Sequence, residues 1–300
     1  MGPVGADGDH RGLHRAGRHP DLVERGPTDR RATVSGAGVG SAVKGRAAFY
    51  DAPLYYHVAF ELNRKTETDF LEACFRKYAR GRVRAVLDVA CGTGHHSLRL
   101  AQRGYRMTSL DLSDASIAFL RNEAARASLP VTAVVGDMTD FRLPRRVDAA
   151  LCMQDSQGHL LTNEALIAHL RAVRRNLRPG GVYVFDRLVP SGWAQPHARW
   201  TWTRRRRGIT VRTTFQTLLN WDLARQVCEE VMRFEVTGRG ARRVITQRHR
   251  TRIVFPQELR ALVELAGGWE FCGWFSNFSL RRPLEKTAQA QVMITALRAR

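Results

Sequence analysis

A chain of 300 residues with a formal net charge of +20 can bury one α/β core, with room for a smaller satellite sheet. It has no apolar run near the roughly 18 residues of a membrane-crossing helix and no signal-peptide core at its start, so a cytoplasmic protein with no membrane partner is expected. Its five cysteines (Cys74, Cys91, Cys152, Cys228 and Cys272) are scattered without a C-x-x-C pair, so neither a disulfide framework nor a zinc site is suggested. The basic excess comes from 44 arginines against four lysines, spread through nearly every segment. That reads as GC-rich coding bias more than as a phosphate-binding stripe, which would gather its charge on one face.

Residues 1–44 are rich in Gly, Arg, Asp and His and poor in large apolar side chains, so a disordered basic tail is expected there. Order is expected from Phe49-Tyr50-Asp51 onward, with helical spacing of Phe70, Leu71, Cys74, Phe75 and Tyr78 over 67–78. Strands then alternate with helices, the pattern of a parallel sheet: strands near 84–90, 105–110, 131–135, 147–153 and 181–187, helices near 95–103, 114–127 and 163–177. After Pro190 the chain turns β-rich at 199–204, 209–219, 226–236 and 243–254, with turn signals at Asn220-Trp221-Asp222 and Thr237-Gly238-Arg239-Gly240. A helix over 256–266 and strands at 269–275 and 291–298 follow. The expected fold class is α/β: a Rossmann-like, doubly wound, seven-stranded, mostly parallel sheet with an inserted small antiparallel β-sheet. Residues 45–190 plus 255–300 would form the core and 191–254 the insert.

The most informative run is Val86-Leu87-Asp88-Val89-Ala90-Cys91-Gly92-Thr93-Gly94, followed by Asp111 at the end of the next strand. A buried strand feeding a glycine turn and then a helix lets backbone N–H groups approach a ligand closely. Asp111 is placed to accept from two ribose hydroxyls, with Leu112 beside it. The third glycine of the dinucleotide fingerprint is missing, because His95, His96 and Ser97 follow Gly94. Asp88 would repel a pyrophosphate but suit an ammonium or a sulfonium. A cationic nucleoside is the favoured ligand, and a nicotinamide-nucleotide oxidoreductase the disfavoured alternative.

Here the sequence resembles the class I S-adenosylmethionine-dependent methyltransferases. In that family the first motif reads D-x-G-x-G-x-G, and Asp88, Ala90, Gly92 and Gly94 occupy its places, with Ala90 replacing a glycine. Asp111 matches the ribose-binding acid. Gly136-Asp137-Met138 resembles the third motif, which implies that Asp137 bonds the adenine amino group and Met138 packs on its ring. Val147–Cys152 resembles the fourth strand, and Leu177-Arg178-Pro179-Gly180-Gly181 the turn before the fifth. The resemblance runs over roughly residues 84 to 187 and implies S-adenosylmethionine as cofactor. It further implies a lid from the tyrosine-bearing segment of Tyr50, Asp51, Tyr55 and Tyr56, with Tyr50 and Tyr55 as candidate donor contacts. Arg64 and Lys65 would reach the donor's carboxylate. A β insert after strand five resembles the amino-sugar-type N-methyltransferases, where it forms a substrate cap or a homodimer surface.

Methyl transfer asks the protein mainly for positioning and for removal of one proton. His159, after strand four, is the best candidate base, and Asp155 a second group able to bind an amine acceptor. The expected acceptor is a small-molecule amine or hydroxyl. An RNA acceptor is the alternative, and Arg204-Arg205-Arg206-Arg207 would then contact phosphate; the run otherwise reads as a solvated hairpin rim. Nucleic acid is disfavoured because Gln154-Asp155-Ser156-Gln157 lacks the Asn/Asp-Pro-Pro-aromatic motif of amino-methylating nucleic-acid enzymes. A donor-binding protein without catalysis is a further alternative.

Overall fold

A computed structural model describes residues 52–61, 65–188, 199–218, 220–238, 240–287, 290 and 292–300. The tail at 1–44, Tyr50, Asp51 and Arg64 lie outside these residues.

Two helices come first, α1 (Pro53–Ala59) and α2 (Lys65–Tyr78). The alternating core follows as β1 (Ala85–Val89), α3 (His95–Gln102), β2 (Arg106–Asp111), α4 (Asp114–Arg126), β3 (Val131–Val135), β4 (Val147–Cys152), α5 (Asn163–Asn176) and β5 (Leu177–Leu188). Strands β6 (Arg199–Arg206), β7 (Ile209–Thr217), β8 (Val227–Gly238) and β9 (Ala241–Arg252) form a separate antiparallel sheet in that order. The chain then adds α6 (Pro256–Ala266), β10 (Trp269–Ser276), β11 (Ser279–Pro283) and β12 (Val292–Ala299).

The main sheet runs β11-β10-β12-β5-β4-β1-β2-β3. Its pairs from β3 through β5 are parallel, and β12, β10 and β11 are antiparallel. Eight strands replace the expected seven: β11 is a five-residue edge strand closing a hairpin with β10. Its two exposed arginines and a proline hide it from any period-two reading, and those same features protect an edge. Leu177–Gly181, read as a turn, forms the irregular start of β5. Val147 pairs with Leu177 and Ala149 already with Val182, so the extra residues bulge out around Gly180 at φ +79°.

The strand period of two sorts the core into layers. Val86, Ala149, Leu151, Val182 and Val184 face α2 and α3, against Phe70, Leu71, Phe75 and Leu100. Leu87, Val89, Ala150, Cys152, Tyr183 and Phe185 face α5 and α6, against Leu166, Leu170, Val173 and Leu262. Helix α4 covers β3 through Ile117 and Leu120, its first turn capped by Ser113 accepting from the Ser116 N–H at 3.1 Å. Helix α1 packs differently. Val58 and Ala59 join Ile209, Val211, Phe234 and Val236 of the antiparallel sheet in one apolar cluster.

Candidate active site

The carboxyl ends of β1, β2, β3 and β4 open on a cavity of about 740 Å³, inside the ~300–1,000 Å³ range of small-molecule sites. Ala90, Gly92, Asp111, Leu112, Asp137 and Met138 all line it, as do Tyr56, Ser113, Asp114, Ala115, Ser156 and His159. One cavity therefore joins the glycine turn, the acid after β2, the third motif and the loop after β4. This is where ligands bind in an open parallel sheet.

The glycine turn needs its special residues to different degrees. Gly92 takes φ +52°, and a Cβ there would meet Tyr56 Cε1 at 3.5 Å, ordinary contact. Gly94, the left-handed N-cap of α3 at φ +79°, is fixed more severely, since a Cβ would lie 2.3 Å from Leu120 Cδ1. Gly94 is therefore buried packing and does not line the cavity. Ala90 also sits at positive φ (+53°), a conformation with a penalty of about 1 kcal/mol for a residue with a Cβ. That is why glycine is expected at its place.

Asp111 holds the turn and faces the cavity at once. Its Oδ2 accepts from the Gly92 N–H at 2.7 Å and its Oδ1 from the Ser113 N–H at 2.9 Å. Each oxygen keeps a second lone pair, enough for a ribose diol. Burial raises its pKa above the usual carboxylate range, and the backbone donors oppose that shift. Leu112 is 74% exposed, a large apolar side chain in the cavity wall with nothing covering it. Across from it, Asp137 Oδ1 takes the N–H and hydroxyl of Thr139, both at 2.7 Å. Its Oδ2 has no protein partner among the described residues.

Asp88 and Tyr55 do not line this cavity. Asp88 is 1% exposed and turned to the face it shares with Val86, where Ser97 Oγ donates to it at 2.6 Å. Burial lifts its pKa to about 6 against the pull of His96 and Ser97. It braces α3 beneath the glycine turn and does not line the cavity. Tyr55 packs into the cluster between α1 and the antiparallel sheet, and the next residue, Tyr56, takes the cavity position. Lys65 pairs with Asp69 at 2.6 Å on α2.

A buried histidine ties the two ends of the cavity together. His169 is fully buried and held neutral, its pKa pushed to about 4 by burial. Its Nδ1 donates to the Met138 carbonyl at 3.0 Å, so its Nε2 accepts from Tyr183 OH at 2.7 Å. Tyr183 OH in turn accepts from Gln157 Nε2 at 2.9 Å. One side chain thus fixes Met138 and the turn carrying His159. No sequence motif marks it.

The loop after β4 carries the strain expected of a working site. Gln154 and Asp155 take φ of +64° and +53° in succession, before a short 3₁₀ turn over Ser156–His159. Gly158 is required there, since a Cβ would meet Thr251 Oγ1 at 2.4 Å. His159 lies at the cavity mouth, its ring 5.2 Å from that of His249 on β9. The residue is exposed at the cavity, and surrounding protein first, and His249 second, shift its pKa below the usual histidine range. His249 is paired with Glu230 at 3.0 Å. Asp155 turns from the cavity toward Arg187, whose Nε lies 3.2 Å away, and burial raises its carboxyl to about 7 against that guanidinium. The structure therefore brings His159 to the cavity wall and places Asp155 just behind it.

A family model described as "Methyltransferase domain" matches residues 86–181, the segment that builds the cavity. Residues 86–181 of this chain form a methyltransferase domain. Among relatives of this domain, a putative methyltransferase, YqeM of Bacillus subtilis (strain 168), is 31% identical over 144 residues, 48% of this chain and 54% of that protein. A dTDP-3-amino-3,4,6-trideoxy-alpha-D-glucopyranose N,N-dimethyltransferase of Streptomyces venezuelae is 36% identical over 114 residues, 36% of this chain and 46% of its own length. The matches thus span about half the length of these curated relatives. The fold extends further: the structure of an S-adenosylmethionine-dependent methyltransferase from Clostridium acetobutylicum ATCC 824 superposes with a TM-score of 0.68 at 16% identity, over 83% of this chain and 97% of that one.

Proposed function

We propose that this methyltransferase domain makes the chain an enzyme that methylates the amine of a small molecule, with a sugar amine as the leading acceptor class. The observation that carries the reading is one cavity lined both by a ribose-type acid, Asp111, and by a histidine, His159. The residues fit S-adenosylmethionine as donor. Asp111 offers lone pairs to a ribose diol, exposed Leu112 and Met138 offer apolar surface to a purine, and Asp137 Oδ2 offers an acceptor to its amino group. Gly92 leaves the turn open under Tyr56. When bound, the sulfonium supplies an electrophilic methyl group.

The chain's own contribution is positioning and a proton acceptor. An alkyl ammonium has no lone pair, so it must lose a proton before attack. His159 lines the cavity, where a ring nitrogen can take that proton. Arg187 is 1% exposed and so holds Asp155, and with it the strained turn, against the end of β5. Sugar amines are favoured by the name of the Streptomyces venezuelae relative. The test is release of S-adenosylhomocysteine from S-adenosylmethionine with amino sugars, matched hydroxyl sugars and RNA offered separately. Turnover with the amino sugars is expected. Turnover with RNA alone would replace this acceptor class.

A further inference from the structure

Read from sequence, Arg204–Arg207 looks like a solvated rim. In the structure three of its four side chains reach back across the molecule. Arg204 Nε donates to the Glu61 carbonyl at 3.2 Å, and Arg206 pairs with the Glu61 carboxylate at 2.7 Å. Arg207 grips both oxygens of Glu123 on α4, at 3.0 and 2.6 Å. The fork is well formed, and Glu123 is only 10% exposed, so this pair is less screened than an ordinary surface bridge. Arg207 and Gly208 take φ of +52° and +73°, the two left-handed residues of a tight hairpin turn between β6 and β7. On β6 itself, Trp202 Nε1 donates to the Ala59 carbonyl at 2.8 Å.

Trp202, Arg204 and Arg206 thus hold the end of α1 and Glu61 just beyond it, Arg207 holds the neighbouring α4, and α1 touches the glycine turn. Arg206 Nη1 lies 3.3 Å from His57 Nε2, and His57 Nδ1 lies 3.1 Å from Thr93 Oγ1. A guanidinium can only donate, so Nε2 must accept and the imidazole proton sits on Nδ1, donated to Thr93. The same ring stacks on His95, the first residue of α3, at 4.1 Å between centroids. Tyr56, next to His57, stands over Gly92 and lines the cavity.

We propose that Arg206 and Arg207 are positioning residues for the donor: they strap the β6–β7 turn to Glu61 and Glu123 and so hold Tyr56 and His57 against the glycine turn. The proposal rests on the donor reading above. It makes the antiparallel sheet a working part of the donor site, since α1 shares its apolar cluster with that sheet and not with the main one.

The test compares wild type, Arg206→Ala/Arg207→Ala, and a cycle of Arg207→Ala, Glu123→Ala and their combination. Calorimetry reads S-adenosylmethionine affinity and hydrogen–deuterium exchange reads α1 without any ligand. The strap predicts faster exchange confined to α1 and about tenfold weaker donor binding in the arginine double variant. It also predicts kcat within about twofold of wild type at saturating donor, and non-additive losses in the cycle. Unchanged α1 exchange, or unchanged donor affinity, overturns it. A wild type that takes up no donor would sink the donor reading instead, a separate result because α1 exchange still reads the strap.

Discussion

Gly94→Ala is expected to destabilise the protein by about 2–4 kcal/mol and to abolish tight donor binding. Two penalties act together. The backbone sits at φ +79°, where an L-side chain costs about 1 kcal/mol. The new methyl would lie 2.3 Å from Leu120 Cδ1, 2.8 Å from Cδ2 and 3.0 Å from Cγ. Leu120 is fully buried between α4 and β3, so it cannot swing aside, and overpacking of this kind costs about 1–3 kcal/mol. Relief comes only by moving the start of α3, which moves the turn that Asp111 holds. Thermal denaturation should fall by roughly 5–15 °C. Gly92→Ala makes the contrast: its methyl meets Tyr56 at an ordinary 3.5 Å, so its cost is mainly the backbone penalty. Equal stability losses at the two positions would show that the packing account of Gly94 is wrong.

His159→Gln is expected to lower kcat by about 10²-fold while leaving donor affinity unchanged, the typical contribution of a positioned base. The residue lines the cavity from the loop after β4, while the glycine turn and Asp111 come from β1 and β2, so the two parameters should separate. Its depressed pKa also fixes a sign. With its pKa held below the usual histidine range, the acidic limb of kcat is expected at lower pH than an ordinary histidine would give. Removing the neighbouring ring with His249→Gln withdraws one cause of that depression. The His159 pKa then rises, and the acidic limb of kcat moves to higher pH. A limb that stays in place, or a His159→Gln variant of full activity, would return the proton-accepting role to solvent.

The parallel core was legible because its signals are local. Apolar runs ending in Asp88, Asp111 and Gly136-Asp137 lie at strand ends, and ligand sites of open α/β sheets collect there. What escaped depends on partners distant in sequence. The period of two puts Asp88 on the Val86 face, but only the fold shows Ser97 waiting on that side. Tyr55 and Tyr56 are indistinguishable by pattern, and their roles follow from α1 leaning on the antiparallel sheet. The arginine run announced its charge but not Glu61 and Glu123, which lie far upstream in the chain. His169 had no signal at all, because a buried histidine bonded to a carbonyl and a tyrosine looks in sequence like any polar residue on a helix.

Calorimetric titration of the purified protein with S-adenosylmethionine, S-adenosylhomocysteine and NAD, beside an Asp111→Ala variant, tests the central claim most directly. Among the described residues, Asp111 is the one acid that both holds the glycine turn and faces the cavity. Micromolar binding of the first two ligands, weakened at least about 100-fold in the variant, is the predicted result. Binding of NAD alone, or donor binding indifferent to Asp111, would contradict the account.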